Sequence, residues 1–156
     1  MILGNDSKFG RLFHIGYVTR DIHRAIARVT ADLGARQLDL LQDIRGASGE
    51  PSMLYAISHL AFAGAELELL QPRLEIESVY LQALPADADA IAMHHAGYLH
   101  PDVPSWEAAM ADIRARGLPI AFEVAAPDLR CAYVDLRRQV GHYAEILWRA
   151  RGSYAG

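Results

Sequence analysis

One cysteine, Cys131, is all that the 156-residue sequence contains, and a single thiol excludes an internal disulfide framework. No apolar run is long enough to span a bilayer, and the start of the chain lacks the basic patch and extended apolar stretch of a signal peptide. The expected compartment is therefore the cytoplasm, with no membrane partner. A dominant charge sign is missing too: 19 acidic against 15 basic residues give a formal charge of -4, and neither sign forms a long block. That pattern offers no electrostatic footprint for nucleic acid; the basic pair Arg137 and Arg138 reads as a solvated turn. With 22% charged and 52% hydrophobic residues, the chain is a poor candidate for disorder and can fill a substantial core. Its length suits one domain or two small fused modules, and residues 1–156 read as a single domain.

What the sequence does have is an internal repeat. Arg11 to Thr19 is β-prone, Asp21 can cap a following helix, and Ile22, Ile26, Val29 and Leu33 recur at helical spacing before Gly34. Gln37 to Gln42 reads as a strand, 44–52 as a loop, and Met53 to Ala63 with Ala65 to Gln71 as two strands meeting at Gly64. The segment 73–89 is a connector, with a short helix expected over Glu75 to Leu84. From Ala90 the order returns: a strand at Ile91 to Leu99, a helix capped by Ser105 that carries Trp106, Ala109, Met110 and Ile113 to Gly117, then strands at Pro119 to Ala125, Cys131 to Leu136 and Tyr143 to Trp148. The expectation is two βαβββ modules, residues 10–72 and 90–150. Even the letters agree, with His14-Ile15-Gly16-Tyr17 against His95-Ala96-Gly97-Tyr98, and Glu68-Leu69-Leu70 against Glu145-Ile146-Leu147.

A module with one helix can cover only one face of its sheet, so two modules paired would enclose the other. A His on each first strand and a Glu on each fourth would then converge, and His14, Glu68, His95 and Glu145 become candidate ligands. Imidazole with carboxylate suits one divalent ion, whether zinc, nickel, cobalt, iron or manganese. Strand alternation puts Gly16 and Val18 on the face of His14, and Met93, Gly97 and Leu99 on that of His95. The two glycines would leave open space there. Glu66 shares the face of Glu68, a costly pairing in a dry core. Tyr143 shares the face of Glu145 and can hydrogen-bond a substrate oxygen, and His59 can line the same cavity as a proton relay or donor. These give Met93, Leu99, His59, Glu66 and Tyr143 as substrate-side candidates. Tyr17, Tyr98 and Trp148 have the opposite phase and belong behind the sheets; Cys131 reads as a small core residue. The loop from Gly49 to Met53 is a candidate lid.

Four segments, FHIGYVTRDI, AELELLQP, HHAGYLHPDV and GHYAEILW, in order and at nearly equal separations, resemble the vicinal-oxygen-chelate superfamily, the group of glyoxalase I, methylmalonyl-CoA epimerase, extradiol dioxygenases and bleomycin resistance proteins. The resemblance implies an α+β fold in which two βαβββ modules form a cupped open β-barrel around one metal ion. It matches His14, Glu68, His95 and Glu145 to the ligand positions. The intact set of two His and two Glu implies a metal-dependent lyase or isomerase of the glyoxalase or epimerase kind, acting on a small carbonyl compound or thioester through an enediolate or enolate. Glu145, or Glu68, would be the base, Glu145 first; an epimerase would need both. The alternatives are a drug- or metabolite-binding protein of the same fold and an extradiol-type dioxygenase. Exposed strand edges suggest a homodimer.

Overall fold

The computed structural model describes residues 7–42 and 54–150; the candidate lid at 49–53 lies outside them. The chain divides into two compact units, His14–His94 on one side and His95–Gly156 with Met1–Phe13 on the other. The elements run β1 (Arg11–Thr19), α1 (Ile22–Leu33), β2 (Arg36–Gln42), β3 (Leu54–Phe62) and β4 (Ala65–Pro72), then β5 (Ile91–Leu99), α2 (Val103–Ala115), β6 (Ile120–Ala126), β7 (Leu129–Asp135), the single-turn α3 (Arg137–Val140) and β8 (Tyr143–Arg149). The fold class is α+β, with the βαβββ order present twice.

In the first module the strands lie in the order β2-β3-β4-β1. Strand β1 runs parallel to β4, and the two hairpin pairs are antiparallel. The β3–β4 hairpin turns on two residues, Ala63 and Gly64, both with positive φ, which matches the twist of paired strands. Helix α1 covers one face: Ile22, Ala25 and Val29 pack on Leu60, Leu67 and Leu69, with Ile15 and Tyr17 alongside. Period-two alternation then puts His14, Gly16, Glu66 and Glu68 on the opposite face.

The second module repeats this in the order β6-β7-β8-β5, with β5 parallel to β8. Trp106, Ala109, Met110 and Ile113 of α2 pack on Ala132, Val134, Ala144 and Ile146, joined by Tyr98 and Trp148. The apolar phase expected for both tyrosines and Trp148 is the one observed. His95, Gly97, Glu145, Cys131 and Tyr133 take the other face.

Both helices begin as their caps direct. Asp21 accepts from the Arg24 amide at 3.0 Å, and Gln71, reaching from β4, accepts from the Ile22 amide at 2.8 Å. Replacing Asp21 with Ala is expected to cost about 1 kcal/mol, read as a lower denaturant midpoint; an unchanged midpoint would mean that Gln71 alone secures the end. The second helix starts earlier than Ser105 suggests. Asp102 is the cap, accepting from the Ser105 amide at 2.8 Å, because Pro104 in the first turn has no N–H to leave unpaired. The connector departs more. Of the expected helix only Leu81–Ala83 forms, as a turn of 3₁₀ helix, closed by the Ser78 carbonyl accepting from the Leu81 amide at 3.3 Å. No helix among the described residues is long and apolar enough to cross a membrane.

Candidate metal centre

Each module carries one His–Glu pair, built the same way. In the first, β1 and β4 are paired so that Gly16 lies opposite Glu68. In the second, Gly97 lies opposite Glu145. The ligand-type histidine stands two residues before the glycine each time, on the same face. His14 Nε2 is 3.7 Å from Glu68 Oε2, and His95 Nε2 is 3.4 Å from Glu145 Oε2. All four residues are buried: His14 is 3% exposed, Glu68 9%, His95 0% and Glu145 7%.

Those separations decide what the pairs are suited to. Charge-assisted hydrogen bonds are shorter, at about 2.7–2.9 Å. Two donors each about 2.1 Å from a tetrahedrally bound ion are about 3.4 Å apart, close to both pairs. Buried carboxylates are expensive without compensation, and a divalent cation beside either pair would supply it. The donors of each pair therefore fit such an ion.

The surroundings of the two carboxylates differ. Around Glu68 the setting is ionic. His59 stands directly across from it in the β3–β4 register, with Nε2 3.8 Å from Glu68 Oε1, and His59 Nδ1 donates to Glu66. Burial works against the charged imidazole, but the Glu66 hydrogen bond and the Glu68, Glu66 and Asp39 carboxylates prevail and raise the His59 pKa. The cost of two same-face carboxylates is met by that histidine. Around Glu145 the donors are neutral: the Cys131 thiol donates to Oε1 at 3.3 Å and the Tyr133 hydroxyl to the same oxygen at 3.4 Å. The Tyr133 ring also meets His95 edge-on, with centroids 5.1 Å apart.

Of the remaining candidates, Tyr143 is buried, with Arg137 over its ring at 4.7 Å. Burial raises its pKa, Arg137 lowers it and Asp135 raises it, for a net rise, so the phenol is a donor at neutral pH. Leu99 is half-buried and Met93 is exposed. His94 points away from the face of His95; its Nε2 donates to the Val79 carbonyl at 3.2 Å and its ring stacks near Tyr80. His100 donates to the Phe9 carbonyl at 2.8 Å, His142 to that of Tyr143 at 2.7 Å, and His23 is on the helix surface. The contacts that sequence reasoning missed are those of Tyr133 and Cys131 with Glu145. Their phase on β7, alternating with Ala132 and Val134, was readable; the β7–β8 register that sets Tyr133 against Glu145 was not.

Residues 13–133 match the family described as the Glyoxalase/Bleomycin resistance protein/Dioxygenase superfamily. The chain belongs to that superfamily. Its fold is also that of several solved structures. A hypothetical protein from Bacillus halodurans C-125 superposes with a TM-score of 0.66 at 20% identity, over 90% of this chain and 95% of that one. Methylmalonyl-CoA epimerase from Mycobacterium tuberculosis gives 0.64 at 18% identity, over 93% and 91%. The Streptomyces coelicolor methylmalonyl-CoA epimerase, in complex with 2-nitronate-propionyl-CoA, gives 0.64 at 20% identity, over 90% and 98%. No curated protein sequence matches this chain.

Proposed function

We propose that the chain is a divalent-metal-dependent isomerase or lyase that moves a proton next to the carbonyl of a small carbonyl compound or acyl thioester, with His14, Glu68, His95 and Glu145 as the metal ligands. The observation that carries this reading is the duplicated buried His–Glu pair, spaced for shared coordination in each module. Similar folds in epimerases that act on methylmalonyl-CoA favour the thioester branch. An ion held by these residues would supply Lewis-acid stabilisation of negative charge on the substrate oxygen.

The chain's own groups do the rest. Glu145 takes the carbon-bound proton and returns it, its Oε1 fixed by Tyr133 and Cys131 while Oε2 faces His95. Glu68 is the second base if both faces of the carbon are used. Tyr143 donates to a substrate oxygen, and Met93 and Leu99 contribute apolar contact from the strand that carries His95. A homodimer goes with this reading: among the described residues β2 pairs only with β3 and β6 only with β7, which leaves backbone edges open to a second copy.

Elemental analysis of the purified protein beside Glu68→Ala and Glu145→Ala tests the ligand set. Near one ion per chain in the wild type, lost in both variants, is the expected result; an ion retained in both would sink it. Stripping the ion with a chelator is expected to lower Tm by on the order of 10 °C, since saturation at about a thousand times Kd adds roughly 4 kcal/mol and a domain of this size shifts about 2–4 °C per kcal/mol. Metal and ligand binding with no exchange of the α-proton would instead make the chain a binding protein.

A further inference from the structure

The surroundings of Glu68 place a second imidazole beside the carboxylate. The two oxygens of the Glu68 carboxylate face two different imidazoles: Oε2 faces His14 at 3.7 Å, and Oε1 faces His59 at 3.8 Å. The His59 ring is itself held. Its Nδ1 donates to Glu66, two residues before Glu68 on the same strand and face, and its backbone amide donates to Asp39 Oδ1 at 3.1 Å, at the irregular point of the β2–β3 pairing. The ring is buried at 8% exposure, and its residue sits directly across from Glu68.

We infer that His59, clamped by Glu66, is a positioning residue that fixes the rotation of the Glu68 carboxylate and thereby sets the affinity of the metal site. The inference rests on the metal reading above. A carboxylate has two equivalent oxygens and a soft terminal torsion. A ring held beside one oxygen leaves the other to face His14, so the ligand is aimed before an ion arrives. Groups that orient ligands from behind in this way typically account for about 10- to 100-fold in metal affinity.

The test is zinc affinity, measured by competition with a chromophoric chelator on the full-length apoprotein, together with the visible absorption spectrum of the cobalt-substituted protein. His59→Phe, which keeps the buried ring and removes both nitrogens, is expected to weaken zinc about 10- to 100-fold and to change the cobalt bands. His59→Gln, whose amide can still donate toward Glu68, is expected to recover part of the affinity. Glu66→Gln, which frees the ring without emptying its place, is expected to give a smaller loss. His14→Ala serves as the control for the metal reading and is expected to abolish tight binding. Binding lost in His14→Ala but unchanged in affinity and spectrum in His59→Phe and Glu66→Gln would overturn the inference alone. Wild-type binding in His14→Ala would overturn the metal reading, and the inference with it. If His59→Phe does not fold, the Gln variants at 59 and 66 decide, because an unchanged affinity and spectrum in both would remove any positioning role.

Discussion

Glu145→Gln is expected to slow exchange of the α-proton of an acyl thioester into deuterated water by about 10²–10⁴-fold, the range over which a positioned side-chain base contributes. The substitution is close to isosteric, and the amide oxygen can still accept from the Tyr133 hydroxyl and the Cys131 thiol, which hold Oε1 in the wild type. The fold of the second module is therefore preserved, and what is lost is the basic oxygen beside His95. Methylmalonyl-CoA is the first substrate to try, with deuterium incorporation followed by NMR at saturating metal. A wild-type rate in Glu145→Gln would exclude Glu145 as the base and move the assignment to Glu68, where Glu68→Gln should then show the loss. An equal loss in both variants is the pattern of a two-base exchange, with one carboxylate on each face of the carbon. Tyr133→Phe is informative beside them: it removes one neutral hydrogen bond to Oε1, and a reduction of about tenfold or less matches the roughly 0.5–1.5 kcal/mol of such a bond.

The parts of this molecule that the sequence disclosed are those governed by short-range rules. The strand from Arg11 to Thr19 is observed with those same bounds, a β-prone run followed closely by the helix cap at Asp21. The caps at Asp21 and Gly34 act where their chemistry places them. The repeat of His-x-Gly-Tyr and Glu-x-Leu then carried the fold class, because two modules of one order must use equivalent positions in equivalent ways. What escaped was set by partners distant in sequence. Ser105 has the chemistry of a cap, but Asp102 lies just ahead of a proline that is at home in the first turn, and the helix starts there instead. The connector has enough residues for a helix, yet only Leu81–Ala83 forms one turn of 3₁₀ helix. Glu66 looked like an unpaid charge beside Glu68 because His59, seven residues earlier across a hairpin, is brought to it only by the β3–β4 register. Tyr133 and Cys131 were invisible as partners of Glu145 for the same reason.

Trp106→Ala is expected to be the most damaging single change to stability, at about 3–5 kcal/mol. The indole is 4% exposed and is packed among Met110, Ile113, Val134, Ala144 and Ile146, so truncation leaves a cavity between α2 and the sheet that small neighbours such as Ala109, Ala132 and Ala144 cannot fill. It also removes the donor to the Ile146 carbonyl, which Trp106 Nε1 reaches at 2.9 Å. Trp106→Phe separates the two contributions, since it keeps most of the ring volume and loses the hydrogen bond, for which about 0.5–1.5 kcal/mol is expected. Against a total of about 5–15 kcal/mol for a domain, the Ala variant should show a Tm lower by on the order of 10 °C. A cost below about 1 kcal/mol would mean that α2 does not anchor the second sheet. The change reaches the site through one peptide unit, because Ile146 follows Glu145 on β8 and its carbonyl is what Trp106 holds. Zinc should therefore raise the Tm of Trp106→Ala by less than it raises that of the wild type. An equal rise would show that β8 keeps Glu145 in place through its pairing with β5 and β7 alone.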